Sequence, residues 1–264
     1  MRVFIMGAGR MGAWLTEELC WDHEVCVYDA DPRRLKYFIK VRRALDLAEL
    51  SDFDPELLVN CVTLGDTVAA FEAALPRLGP GCILADIASV KSGLADYYRE
   101  SGRPFVSSHP MFGPTFANIR DLRDESAVII SESCEKGKAF FRDFYARLGV
   151  RIFEYDFAGH DETVAYSLAT PFASTMVFAA CMKHQKAPGT TFKKHMAIAK
   201  GLLAEDDRLL AETMFNPRTV RQLELIGSKL AYLKHIIDQK DYEEMRRFLA
   251  ALRSNIADPA IEGS

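Results

Sequence analysis

The chain has 264 residues, with 33 lysines and arginines against 37 aspartates and glutamates, and a formal net charge of −4. That balance offers no basic surface for nucleic acid, and 49% hydrophobic with 27% charged residues is globular composition. Six cysteines (Cys20, Cys26, Cys61, Cys82, Cys134 and Cys181) stand apart with no C-x-x-C pair. A disulfide framework or a metal site is therefore not expected, and a reducing cytoplasm fits best.

The length suits two ordinary domains. Residues 2–6 read as a first strand, too short an apolar run for a signal peptide, and residues 10–20 as its helix. A second strand is expected at 24–29. Further strands are expected at 57–61, 82–87, 105–107, 127–130 and 151–154, with helices at 66–75, 90–100 and 135–148 between them. This alternation is that of βαβ units. It predicts an α/β fold, with a Rossmann-type dinucleotide-binding domain over residues 1–155. Parallel sheets of this kind bind ligands at the carboxyl ends of their strands.

After residue 155 the strand pattern stops and helical periodicity runs to about residue 256. Residues 156–264 are expected to form an all-helical substrate and dimerisation domain, with a frayed tail at its end. Residues 164–182 carry no charge and approach the length of a bilayer span. They also hold Ser167, Thr170, Pro171, Ser174 and Thr175. A helix buried on nearly all sides, inside a helical domain or a dimer, is expected there, not a membrane segment. Its need for cover predicts a homodimer through the helical domain.

Gly7-Ala8-Gly9-Arg10-Met11-Gly12 matches G-x-G-x-x-G between a strand and a helix, the context that gives this pattern meaning. The first glycine permits a tight turn, the second lets the backbone approach a pyrophosphate, and the third packs helix on strand. The helix N-terminus offers N–H groups to phosphate. Asp29, closing the second strand, is placed to accept hydrogen bonds from a ribose 2′-hydroxyl and to repel a 2′-phosphate, which favours NAD over NADP. Arg33 and Arg34 nearby pull the other way, unless they are solvated charges at a helix start. Val62, just past the strand at 57–61, is placed with the cofactor contacts.

Two later motifs carry the chemistry. D-I-A-S-V-K (residues 86–91) ends a strand and starts a helix. H-P-M-F-G-P (residues 109–114) reads as a rigid loop around His109, whose imidazole can move a proton near neutral pH. Ser89 is either a hydrogen-bonding partner in that chemistry or a helix N-cap. Lys91 is either a structural cation or a contact to cofactor or carboxylates.

Together, the glycine fingerprint, D-I-A-S-V-K and S-H-P-M-F-G-P resemble the prephenate/arogenate dehydrogenase family, and the His160-Asp161 pair also fits a family position. The resemblance runs from residue 1 to about residue 256 and is closest to short, single-function members. It implies NAD-dependent oxidative decarboxylation of a small-molecule substrate, prephenate, to 4-hydroxyphenylpyruvate in tyrosine biosynthesis. In that reading His109 accepts the proton of the 4-hydroxyl, and Ser89 fixes the geometry. His160 either joins Ser89 and His109 at the substrate or belongs to a helix N-terminal region with an acidic first turn.

The sequence departs from the family where a dicarboxylate must be held. Many members of the family carry an arginine in the helical domain; here Ala197 or Gly201 takes its place. Helical spacing puts Lys193, Ala197 and Lys200 on one side, so Lys193 or Lys200 is the expected substitute, with Arg218 as another. Phe172 stands where relatives often have a histidine. Arogenate or another hydroxy acid as substrate is one alternative. A catalytically inactive NAD-binding regulatory protein is another.

Overall fold

In a parallel sheet covered on both faces, strands read as unbroken apolar runs, and the first of them here is Val3-Phe4-Ile5-Met6, buried throughout. The computed structural model describes residues 1–113, 118–183 and 185–257. Pro114, which closes the H-P-M-F-G-P motif, and residues 258–264 of the expected tail lie outside the described residues.

The strands are β1 (Arg2–Met6), β2 (Glu24–Tyr28), β3 (Arg42–Ala44), β4 (Leu57–Asn60), β5 (Ile83–Asp86), β6 (Phe105–Pro110), β7 (Ser126–Ile130) and β8 (Arg151–Tyr155). They form one sheet in the order β3-β2-β1-β4-β5-β6-β7-β8. The helices between them are α1 (Arg10–Leu19), α2 (Glu49–Phe53), α3 (Thr67–Ala74), α4 (Leu94–Ser101) and α5 (Glu135–Arg147). The pleat sends Val3 and Ile5 into a core with Leu15, Phe141 and Tyr145. Phe4 and Met6 point to the opposite core, with Phe71, Leu84 and Tyr98. Each such side chain contributes about 1.5–3 kcal/mol on burial.

β1 pairs with β2 on one side and β4 on the other. The strand order reverses there, which opens a crevice beyond the carboxyl ends of β1 and β4.

The structure departs from the expected elements in four places. β3 is an extra edge strand. Its two arginines face solvent and only Ala44 is buried, so it carries no apolar pattern. β7 runs antiparallel to β6, against the expected parallel order. The described residues between them contain no crossover helix, which a parallel pair needs. This pairing also lengthens β6. Its first half, Phe105 to Ser107, pairs with β5, and its second half, Ser108 to Pro110, pairs with β7. His109 is thus a strand residue opposite Val128, not a loop residue. Finally, α4 starts at Leu94 behind Gly93, whose φ of 82° favours glycine. Residues 87–93 are a loop, so Ser89 caps no helix.

The helical region continues through α6 (Phe157–Val164), a π-turn (Ala165–Ala169), α7 (Thr170–Cys181), α8 (Thr190–Leu202), α9 (Asp207–Met214), α10 (Thr219–Gln239) and α11 (Tyr242–Asn255). The π-turn lies just before Pro171, whose ring and missing N–H disturb the preceding turn. The expected burial on nearly all sides is not met within the chain. Among α7 residues only Ala173 is buried, and Val177 is 59% exposed. By length and composition, 157–181 remains long and apolar enough to cross a membrane.

Two compact units are present. One runs Met1–Thr219 and includes α6 to α9 with the sheet; the other begins at Val220. In the second unit α10 and α11 form a hairpin. Asp241 caps α11 through the Glu244 N–H, and the Tyr232 ring meets Phe248 edge-on.

One buried clamp positions the loop at 87–93. Lys91 Nζ donates to Asp86 Oδ1 at 2.5 Å and to the Ser108 carbonyl at 2.7 Å. Asp86 also accepts the Tyr98 hydroxyl at 2.7 Å and the Ala88 N–H at 3.0 Å. Both side chains of the ion pair are fully buried. Burial drives the Lys91 pKa down, and Asp86 opposes that. Lys91→Met would leave Asp86 buried without its cation. The expected loss is about 3–5 kcal/mol of unfolding free energy, read from urea denaturation. Unchanged stability would show that the pair does not hold the loop.

Candidate active site

The glycine motif forms an open cradle. Gly7 has φ 103°, and a Cβ there would lie 2.9 Å from the Cys61 carbonyl carbon and oxygen. A Cβ at Gly12 would lie 1.9 Å from the Gly7 oxygen. Neither position admits a side chain, so β1, α1 and the end of β4 meet backbone to backbone. Gly9 differs: its absent Cβ faces open space, with Arg34 Nη1 nearest at 4.0 Å. No side chain caps the N-terminus of α1, and its first turn holds no acid. The N–H groups at Met11 and Gly12, in that uncapped first turn, are a donor set suited to a pyrophosphate.

Asp29 follows β2 and braces the cradle. Its Oδ2 accepts the Ala8 N–H at 2.7 Å, and its Oδ1 accepts the Asp31 N–H at 2.8 Å. Each oxygen keeps a lone pair for a ribose hydroxyl. Arg34 lies 3.7 Å from Asp29 and is more than half exposed, while Arg33 pairs with Asp31. Val62 is half-buried beside Gly7, its N–H held by Asn60 Oδ1. These residues fit a dinucleotide.

Arg10 pairs with Glu205 at 2.9 Å. Glu212 of α9 accepts the N–H groups of Leu64 and Gly65, and Arg208 pairs with Asp66. The loops after β1 and β4 are thereby fastened to the α8–α9 region. No local pattern announces these contacts, because the partners lie far apart in sequence.

A second cluster sits on the same edge, beyond β5 and at the end of β6. His109 is 6% exposed and His160 is fully buried. His109 Nδ1 lies 3.0 Å from His160 Nε2, and His160 Nδ1 lies 3.0 Å from Asp161 Oδ1. Asp161 also accepts the Lys91 N–H at 2.7 Å and the Ser92 hydroxyl at 3.1 Å. Its own carbonyl accepts the Asn216 side-chain amide at 3.0 Å. Both ring nitrogens of His160 are therefore engaged inside the protein, so it reaches the site through His109.

Burial, the neighbouring His160 and the Lys91 charge hold the His109 pKa well below its ordinary value. Burial likewise lowers His160, against the pull of Asp161. Burial works to raise Asp161, but hydrogen bonds from His160, Lys91 and Ser92 outweigh it and the net shift is downward.

Ser89 lies half-buried in the loop held by the Asp86–Lys91 clamp, and its hydroxyl has no hydrogen-bond partner among the described residues. Beyond Pro110, the Phe112 ring meets Trp14 edge-on at 5.4 Å and anchors the motif to α1. Lys91 is the structural cation of the two readings open to it. Lys193, Ala197 and Lys200 share one groove of about 390 Å³ with Met182, Phe192 and Met196. Among the described residues no hydrogen bond or ion pair joins that groove to His109. Arg218 is exposed and Phe172 half-buried. Asp161, Asn216 and Tyr98 complete the cluster. The adjacency of Asp161 to His160 was the one local signal for any of them.

The sequence profile of the prephenate dehydrogenase nucleotide-binding domain matches residues 13–153, more than half of the chain. Over 205 residues the chain is 26% identical to a 4-amino-4-deoxyprephenate dehydrogenase of Streptomyces pristinaespiralis, covering 73% of this chain and 68% of that protein. It is 20% identical to a "Probable arogenate/prephenate dehydrogenase" of Methanocaldococcus jannaschii, covering 79% of this chain but only 50% of that longer protein. Among solved structures, Aquifex aeolicus prephenate dehydrogenase with hydroxyphenyl propionate and NAD+ superposes with a TM-score of 0.83 at 18% identity, covering 97% and 96% of the two chains. Synechocystis arogenate dehydrogenase gives 0.74 at 20% identity, covering 97% and 98%. These superpositions establish a shared fold, and the profile match establishes that the chain belongs to the prephenate dehydrogenase family.

Proposed function

We propose that the chain is an NAD-dependent dehydrogenase that oxidatively decarboxylates prephenate. One observation carries the reading: a buried histidine with a depressed pKa stands on the same sheet edge as an open dinucleotide cradle. NAD+, when bound, supplies the hydride acceptor. Gly7, Ala8, Gly9, Arg10, Met11 and Gly12 would hold its pyrophosphate, Asp29 its ribose, and Val62 would line the crevice. His109 takes the proton of the 4-hydroxyl as the carbonyl forms. It returns that proton to the phenol oxygen once CO₂ has left and the ring is aromatic. Ser89, with a free hydroxyl, donates to or accepts from the reacting oxygen and fixes its orientation. Lys193 and Lys200 supply point charges for carboxylate in place of the absent arginine.

Arogenate is the second reading, favoured by that missing arginine, because a different group at the far end of the substrate needs a different partner. The ratio of kcat/KM for the two substrates separates them. The exposed apolar side chains Val177, Ile198 and Leu230 support a homodimer, which sedimentation equilibrium checks; a monomer at assay concentration would exclude it.

The direct test mixes protein, NAD+ and prephenate or arogenate and follows NADH absorbance together with the aromatic product. Absence of turnover with both would sink the reading. His109→Asn is expected to lower kcat about 10²–10⁴-fold while NADH affinity holds. Replacing Lys193 and Lys200 together by alanine should raise KM and leave kcat close to its starting value.

The pH profile has a defined sign. A depressed pKa keeps His109 unprotonated, and so competent as a base, below its ordinary value of 6.5. The acid limb of kcat/KM should therefore fall below pH 6.5. A midpoint at or above 6.5 that vanishes in His109→Asn would contradict this.

A further inference from the structure

We infer that Asp161, acting through His160, sets the tautomer of His109 and so decides which of its ring nitrogens is the base. The inference rests on the reading of His109 as the proton acceptor, but its geometry stands independently. The Asp161 carboxylate already accepts the Lys91 N–H and the Ser92 hydroxyl. Carboxylate oxygens only accept, so the proton between Asp161 Oδ1 and His160 Nδ1 belongs to His160. A neutral His160 then presents a lone pair at Nε2. His109 Nδ1, 3.0 Å away, must carry the proton that fills this contact. His109 Nε2 is left bare.

The opposite arrangement would set two lone pairs against each other at 3.0 Å inside a buried site. A buried polar contact left unmade in this way is costly. Charging His109 in the resting state is opposed by burial and by Lys91, whose side chain holds the carbonyl of the preceding residue. Each proton in the chain is thereby assigned from one end, and that end is fixed by the Lys91 N–H, the Ser92 hydroxyl and the Asn216 amide.

Two consequences follow for the reaction. The lone pair is in place before substrate arrives, so no tautomer exchange precedes proton transfer. When His109 takes the proton, its positive charge faces a hydrogen-bonded path to a carboxylate. Asp161 stays ionised throughout and serves as an orienting anion, not as a proton store. Asp161 and His160 are thus positioning residues.

The test has two arms. Long-range ¹⁵N–¹H NMR of the imidazole rings reads the tautomer in the free protein. His109 and His160 are expected to carry their protons on Nδ1, with Nε2 unprotonated. His109 is expected to lose that preference in His160→Leu and to recover it in His160→Gln, whose carbonyl can accept from Nδ1. Kinetics form the second arm. His160→Leu should lower kcat about 10²–10³-fold at unchanged KM and NADH affinity, and His160→Gln should restore most of the rate. A proton on His109 Nε2 in the wild-type protein overturns the inference, whether or not the variants fold. So does a His160→Leu enzyme with undiminished kcat. A chain that turns over neither prephenate nor arogenate, yet shows His109 protonated on Nδ1, overturns the dehydrogenase reading and leaves the tautomer assignment standing.

Discussion

Lys91 makes bonds in three directions from one buried position. Its ammonium joins the Asp86 carboxylate at the end of β5 to the Ser108 carbonyl in β6. Its backbone N–H joins the same loop to Asp161 in α6. A lysine ammonium is costly to bury without a partner, so the loop has little freedom to move once Asp86 is in place. Tyr98 strengthens the arrangement from α4. Its hydroxyl bonds Asp86 and its ring stacks on Phe105 at 4.2 Å. Ser89 and His109 inherit their places from this clamp, one on the loop and one beside the bonded carbonyl.

The glycine cradle is built by steric exclusion where the histidine cluster is built by charge and hydrogen bonding. Backbone fills the space that side chains at Gly7 and Gly12 would need, and the space at Gly9 stays open. Asp29 serves both the loop and the crevice, because its carboxylate ties the Ala8 and Asp31 N–H groups together beside the place expected for a ribose. Replacing it would disturb the loop. Arg34 next to it keeps Asp29 from being an unbalanced anion.

Much of this was legible in the sequence because it depends on local pattern. The apolar runs of β1, β4 and β5 are buried on both faces and announce themselves. So does the glycine fingerprint, whose spacing follows from backbone contact. The histidine was legible as a residue but not in its setting. Its strand continues only because an antiparallel neighbour takes over where β5 leaves off, and such a partner leaves no trace in the residues near His109. The start of α4 falls at Leu94 and not at residue 90 for a related reason: the bonds of Lys91 to Asp86, Ser108 and Asp161 hold the preceding residues in a loop, and those partners are not local. Edge strand β3 has solvated arginines and no periodicity to read. The apolar stretch at 164–182 suggested burial by composition, yet composition does not say whether the cover comes from the same chain.

The buried groups around His109 can be followed as charges through the proposed reaction. At rest the cluster holds the Lys91 ammonium, the Asp86 and Asp161 carboxylates and two neutral imidazoles. Its formal sum is one negative charge. If His109 takes a proton in the proposed reaction, the formal sum over these side chains becomes zero. Burial, the neighbouring His160 and Lys91 nonetheless keep the His109 pKa low, which disfavours the imidazolium. That combination suits a group that must give its proton back. A strong base would hold the proton after decarboxylation, whereas a weak one, supported along a fixed path to Asp161, returns it to the phenol oxygen as the ring becomes aromatic. In the proposed cycle the depressed pKa would favour return of the proton and the orienting carboxylate its acceptance.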